Sequence, residues 1–332
     1  MESPRNNIYK KEHRTGSPYY SIKSVVDRMN KQKRYIFEDI AVCEMCGAPS
    51  TSHKLMGQRL NQTQGLRPKR KDGISVSVKK CRNCNLIYSS PRPVPFDIQD
   101  HYGIPPETYW SPSYFQWSPE YFAMEIATLS KLMDIQPGMK ALDVGAGIGK
   151  AMLSLNHAGF DTYGFEPSNP FYERAISKMN IDPGKLKLGM IEDVEYPENH
   201  FHFITFGAVL EHLYHPAESI AKTMKWLKPG GIIHAEVPSS RWLIAKLINI
   251  YYRLVGTNYV TNTSPMHEPF HLYEFDLKSF QRLGERIGYK TIDHKYMVCT
   301  VRNIPGPLKF LFRKYMEMTD TGLQLTVWMK KN

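Results

Sequence analysis

Three groups of residues in this sequence have types and spacings that can do chemistry. The first is a pair of CxxC motifs, Cys43-Glu-Met-Cys46 and Cys81-Arg-Asn-Cys84, with 34 residues between them. Each pair sets two thiolates on one tight knuckle, and two knuckles complete the tetrahedral sulfur set that zinc takes in structural sites. Four protein ligands leave no open position, so a structural zinc is expected, not a catalytic one. The fifth cysteine, Cys299, stands alone. That usage suits metal binding in a reducing compartment and argues against disulfides.

The second group is Leu142-Asp143-Val144-Gly145-Ala146-Gly147-Ile148-Gly149. Glycines at 145, 147 and 149 let the backbone turn sharply and approach a ligand closely, and a helix after them offers unpaired N–H groups. The dinucleotide pattern GxGxxG would need glycine at position 150, where the chain has Lys150. Asp143, just ahead of the glycines, suits a cationic, amine-bearing ligand and would repel a pyrophosphate. Downstream, Gly164-Phe165-Glu166-Pro167 places a carboxylate 17 residues after Gly149, the distance one βαβ unit requires. An acidic residue there can accept both hydroxyls of a ribose.

The third group carries acid–base chemistry. Glu211-His212 follows the apolar run Phe203 to Leu210. A neutral imidazole takes up a proton near neutral pH, so His212 is the expected general base, with Glu211 orienting a substrate or the ring. Met266-His267-Glu268-Pro269-Phe270-His271-Leu272-Tyr273 spells HExxH. That metalloprotease motif needs a helix, and Pro269 inside it opposes one. His267, His271 and Tyr273 are instead expected as substrate contacts on a loop, with His271 the rival to His212 as base.

Elements of the right kind surround these groups. From Ala141 onward, apolar segments at 140–144, 161–165, 186–190, 202–207 and 231–237 alternate with helical patterns at 149–158, 168–179 and 216–227. Such alternation predicts an α/β fold with a parallel sheet covered on both faces. Helices at 241–254, 276–287 and 307–317 and strands at 290–297 and 322–329 are expected after it. Ser118-Pro119 reads as the start of a helix running toward Ile135. The expected organisation is a basic tail over 1–39, a zinc-binding module over 40–92, a proline-rich linker over 93–117 and a catalytic domain over 118–332, with a substrate loop near 256–273. The module and the domain are expected to have separate cores.

With Asp143, the glycine loop, Glu166, the run through Glu211-His212 and the turn Leu227-Lys228-Pro229-Gly230-Gly231 in hand, residues 118–238 resemble the class I S-adenosylmethionine (SAM)-dependent methyltransferases. The resemblance implies a Rossmann-like seven-stranded sheet with an antiparallel last strand. It also implies that Asp143, Gly145, Gly147 and Gly149 line the methionine end of SAM, with Ala146 in the same loop. Glu166, followed by Pro167, would bind the ribose. Ile191 and Glu192 would border the adenine, and Gly207 and Ala208 would lie beside the sulfonium. His202 stands where the family often has Asp, at a position that is usually structural. Together with the cysteine pairs, the chain is similar to bacterial methyltransferases with an N-terminal zinc ribbon, a group that acts on nucleotide-sugars and in polysaccharide and natural-product pathways. The sugar C-methyltransferases of that group carry a second α/β domain. The roughly 90 residues after Pro238 are too few for one.

The expected activity is therefore methylation, at oxygen, of a sugar, nucleotide-sugar or related small molecule. The alternative is an RNA or protein methyltransferase that docks through its basic module. The net charge of +11 arises entirely within residues 1–84, with 18 Lys/Arg against 7 Asp/Glu, while residues 85–332 hold 25 of each. A module so charged can meet nucleic acid or anionic lipid. No Asn/Asp-Pro-Pro-Tyr-type tetrapeptide, common in nucleic-acid base N-methyltransferases, follows the fourth apolar segment. The polar N-terminus has no apolar leader segment. Trp242–Val255 is too short and too charged to span a bilayer, so a cytoplasmic protein without a transmembrane segment is expected.

Overall fold

The computed structural model describes residues 35–59, 76–103, 105–108, 111–263, 271–299 and 306–332. The first strands form around the cysteines: β1 (Tyr35–Glu38), β2 (Lys54–Arg59), β3 (Ser77–Lys80), β4 (Ile87–Ser90) and β5 (Arg92–Pro95). Cys43 N donates to Ala48 O at 2.8 Å and Cys81 N to Leu86 O at 2.8 Å, closing the two knuckles. Each knuckle then turns through a left-handed residue, Gly47 (φ 73°) and Asn85 (φ 65°), conformations that glycine and asparagine tolerate best.

The alternating half of the chain gives β6 (Lys140–Val144), β7 (Asp161–Glu166), β8 (Leu186–Leu188), β9 (Phe201–Gly207) and β10 (Leu227–Pro238). Helices Lys150–His157, Asn169–Met179 and Pro216–Trp226 connect them. After β10 come helix Leu243–Leu254, the short strands β11 (Tyr259–Val260) and β12 (Tyr273–Glu274), helix Leu277–Ile287, β13 (Tyr289–Met297), helix Gly306–Met318 and β14 (Gln324–Lys331). The main sheet has the order β13-β14-β10-β9-β6-β7-β8. β10, β9, β6, β7 and β8 run parallel, and β14 lies antiparallel between β10 and β13. The expected seven-stranded α/β sheet with an antiparallel last strand is what forms. Apolar residues on the strands are buried on both faces, as a helix-covered parallel sheet requires: Phe201, Phe203, Ile204 and Phe206 of β9 are all 0% exposed.

The cysteine module departs from expectation. Its sheet has the order β11-β2-β3-β4-β12, so both edges come from the other end of the chain. Tyr259 pairs with Gln58 and Tyr273 with Tyr88. Ser279 Oγ donates to Cys84 O at 2.9 Å, and Arg286 Nη1 donates to the carbonyls of Glu44 and Met45. Cys43, Met45 and Cys84 share one apolar cluster with Phe206, Phe275 and Phe280. Tyr35–Asn332 accordingly forms one compact unit, and the expected separate cores are corrected to a common one.

A second correction concerns the helix expected from Ser118. It begins only at Ala123, behind a left-handed Phe122 (φ 63°). Tertiary bonds override the capping signal: the Tyr121 carbonyl accepts from Ser154 Oγ at 2.7 Å, and Trp117 Nε1 donates to the same hydroxyl at 2.8 Å. The stretch expected as a linker contains all of β5 but Arg92, a strand that pairs antiparallel with β1, and a turn of helix at Gln99–Tyr102.

Candidate active site

The glycine loop leaves β6 and enters the helix at Lys150. Gly145, Gly147 and Gly149 all have positive φ, at 67°, 57° and 82°. A Cβ on Gly145 would stand 2.7 Å from Val209 Cγ2, and one on Gly149 would stand 2.6 Å from Ile181 Cγ1. Gly147 differs: a Cβ there would meet only the Phe171 ring, at 3.7 Å, so the space over it is open for a ligand. Glu166 ends the neighbouring strand and braces the loop. Its Oε2 accepts from Gly147 N at 2.7 Å and its Oε1 from Ser168 N at 2.9 Å.

A cavity of about 290 Å³ lies over this loop, lined by Gly145, Gly147, Glu166, Pro167, Ile191, Glu192 and Ala208 among others. These seven are residues expected at the cofactor. Asp143, Ala146, Gly149 and Gly207 are not on its wall. Asp143, near the end of β6, and Ala146, within the loop, are buried, and Gly149 packs on Ile181. Burial pushes the Asp143 carboxyl up to about 8, with the nearby Glu166 charge adding to it. Burial likewise lifts Glu166 to about 7 against the two backbone N–H bonds that favour its charge. A cationic ligand with donor hydroxyls relieves both, so the residues present fit SAM.

The sequence missed the roof of this cavity. Ile98, His101, Tyr102 and Tyr114 line it, all from the stretch expected as a linker. Ser168 Oγ, which caps the helix after β7, donates to the Tyr102 carbonyl, and the Lys150 ammonium lies 4.5 Å from the Tyr114 ring centroid. Nothing periodic marks this segment, and its aromatic content is the one signal it carries.

A second cavity of about 300 Å³ adjoins the first and shares Ala208 and His212 with it. Its wall includes Glu211, Glu236, Trp242, His271 and Glu274. Backbone bonds bring the expected acid–base residues together. Leu272 N donates to Glu211 O at 2.7 Å, and Ser89 N to Leu272 O at 3.0 Å. The rings of His212 and His271 consequently stand 4.8 Å apart, inclined at 67°. Glu211 is 2% exposed, and its Oε2 has no hydrogen-bond partner among the described residues. Burial, with Glu236 nearby, pushes the Glu211 carboxyl up to about 8. Glu236 accepts from Gln324 Nε2 at 2.8 Å. Glu274 is held by Thr263 N at 2.7 Å and Asn262 Nδ2 at 2.6 Å.

Tyr273, expected as a substrate contact, is corrected. It is 0% exposed, receives a bond from Arg92 Nη1 at 3.1 Å and donates to Tyr214 O at 3.0 Å. Side chains alternate along a strand, so on β12 Tyr273 enters the core and Glu274 faces the cavity. His267 lies outside the described residues.

The four cysteine sulfurs lie within 4.8 Å of one another, with Cys43–Cys84 and Cys46–Cys81 each at 3.5 Å. Zinc bonded at about 2.3 Å to four sulfurs spaces them about 3.8 Å apart, so the donor set fits that ion.

A family profile described as "Methyltransferase domain" matches residues 114–294. The chain belongs to this methyltransferase family. Its domain is of the SAM-dependent type. Curated relatives include the ubiquinone/menaquinone biosynthesis C-methyltransferase UbiE of Cupriavidus necator, 22% identical over 183 residues, covering 52% of this chain and 63% of that protein. A methyltransferase of Synechocystis is 31% identical over 129 residues, covering 37% of this chain and 59% of its own. The chain thus spans less than two thirds of the length of these relatives. Among solved structures, a SAM-dependent methyltransferase from Methanosarcina mazei superposes with a TM-score of 0.44 at 15% identity, over 61% of this chain and 96% of that one.

Proposed function

We propose that this methyltransferase transfers the methyl group of SAM to a hydroxyl oxygen of a polar small molecule, a sugar, nucleotide-sugar or related metabolite. The observation that carries the reading is the junction of the two cavities at Ala208 and His212, with Glu211, His212 and His271 on the acceptor side. SAM supplies an electrophilic methyl on a sulfonium. In this reading Gly145, Gly147 and Ala208 line its path, Glu166 accepts its ribose hydroxyls, Ile191 and Glu192 border its base, and Asp143 offsets its positive charge from near the end of β6. His212, at the junction, takes the hydroxyl proton as general base. His271 orients the acceptor or shares that task. Holding the oxygen in line with the methyl removes most of the entropic cost of the displacement.

Cys43, Cys46, Cys81 and Cys84 hold a structural zinc in this reading, in a cytoplasm reducing enough to keep them thiolates. A carbon acceptor is the second reading: UbiE is by name a C-methyltransferase, and a carbon acid needs the same base. Among the described residues no helix is long and apolar enough to cross a membrane. The test is methyl-labelled SAM with cell extract divided into small molecules, RNA and protein. Label in the small-molecule fraction as a methyl ether supports the proposal. A methyl–carbon product moves it to the second reading, and label confined to RNA or protein rejects both.

A further inference from the structure

We infer that Glu211, His212 and His271 are the ligands of a divalent cation, distinct from the four-cysteine zinc, in the floor of the acceptor cavity. One ligand atom from each of the three lies within 4.8 Å of the others. Around an ion bonded at about 2.1 Å, neighbouring ligand atoms stand about 3.0–3.4 Å apart, so small side-chain rotations complete the set. The backbone already fixes the frame. His212 directly follows Glu211, and His271 precedes Leu272, whose N–H donates to the Glu211 carbonyl at 2.7 Å. The two imidazoles are inclined at 67° instead of stacked.

The buried carboxylate is the second, independent observation. Glu211 lines the cavity, is 2% exposed, and leaves Oε2 without a partner among the described residues. A buried carboxylate oxygen without a donor is costly. Glu236 and Glu274 also line this cavity, while no Lys or Arg is among its described lining residues. A wall whose described residues supply three carboxyl groups and no Lys or Arg favours a positive ligand.

Two imidazoles and one carboxylate suit first-row divalent ions such as Mn2+, Fe2+, Co2+ and Zn2+. Three protein ligands leave positions open, as a catalytic site requires. These positions fit two vicinal oxygens of the acceptor, a diol or a hydroxy-carbonyl pair, and a bound cation makes such a hydroxyl more acidic. This part rests on the proposed methyl transfer, and it recasts His212 from proton acceptor to ligand of the ion that activates the same hydroxyl, whose proton then passes to Glu236 on the wall of the same cavity. The ion site itself does not depend on that reading.

The test is titration of purified full-length protein with Mn2+ alone, followed by electron paramagnetic resonance, with the cysteine-site zinc counted by elemental analysis. One Mn2+ per chain is expected, with affinity at least tenfold lower in Glu211→Gln and in His271→Ala. Retained binding of S-adenosylhomocysteine shows that both variants are folded. No Mn2+ uptake by folded wild type, or uptake unchanged in both variants, overturns the site. Labelled methyl transfer is run in parallel. Transfer that persists in full under a chelator, with no Mn2+ uptake, overturns the ion and leaves His212 as base. Mn2+ uptake without transfer to any small molecule keeps the ion and rejects the proposed function.

Discussion

Loss of the zinc proposed at the four cysteines should disable the whole molecule and not one module. Cys43, Cys81 and Cys84 are at most 1% exposed, and they share an apolar cluster with Leu210, Phe206 and Phe280 of the catalytic half. Structural zinc contributes about 10–16 kcal/mol in isolated zinc-finger peptides, comparable to the whole stability of a typical domain, about 5–15 kcal/mol. Even a contribution discounted to about 5 kcal/mol should lower the unfolding midpoint by about 7 °C in a chain of this size. The effect should reach the acceptor cavity through chain and strand neighbours: the Cys84 knuckle leads into β4, Tyr88 of β4 pairs with Tyr273, and His271 lies two residues before Tyr273. Calorimetry on Cys84→Ser, and on wild type after chelation, should therefore show a single transition at lower temperature and weaker binding of S-adenosylhomocysteine. Two transitions, with an early one confined to the cysteine region and cofactor-site binding unchanged, would refute the shared core.

Other outcomes follow from the same geometry. Glu166→Ala should weaken S-adenosylhomocysteine by about 1.5–3 kcal/mol, roughly 10–100-fold by calorimetry, because it removes a carboxylate acceptor for the ribose and the brace on Gly147. Unchanged affinity would remove Glu166 from the site. His212→Ala should cost about 10²–10⁴-fold in turnover with little change in cofactor affinity. Collapse in His271→Ala with His212→Ala near wild type would transfer the central role to His271. His234 is 0% exposed beside Thr205 Oγ1 at 2.8 Å, and burial holds its imidazole down from 6.5 to about 3. Below pH 6.5 the unfolded chain binds a proton there that the folded chain refuses, so stability falls as pH falls from 6.5 toward 3. Between pH 6.5 and 5 this one site should cost up to about 2 kcal/mol. His234→Phe should flatten that limb in denaturant titrations, and an unaltered slope would show that another group sets it.

The parallel sheet was legible because its central strands are apolar on both faces and three of the four connections between the parallel strands carry a helical period, the exception being the helix-free stretch from β8 to β9. The glycine loop, Glu166 and Glu211-His212 were legible because their spacing follows from one βαβ unit after another. The roof residues Ile98, His101, Tyr102 and Tyr114 were not, because proline-rich chain without a period gives no sign of what it covers. The two-residue strands β11 and β12 were also invisible, being too short for any alternation. Yet they close the cysteine sheet, and β12 alone decides that Tyr273 enters the core while Glu274 faces the cavity. At Ser118 the local start signal was present, and bonds from Ser154 and Trp117 overrode it.

The most direct measurement is product identification with methyl-labelled SAM and fractionated cell extract, using wild type beside Glu166→Ala and His212→Ala. Label should appear as a methyl ether on a polar small molecule with wild type, and fall steeply with both variants. Label found only in RNA or protein, or a small-molecule product formed equally well by both variants, would contradict the assignment of the two joined cavities to SAM and its acceptor.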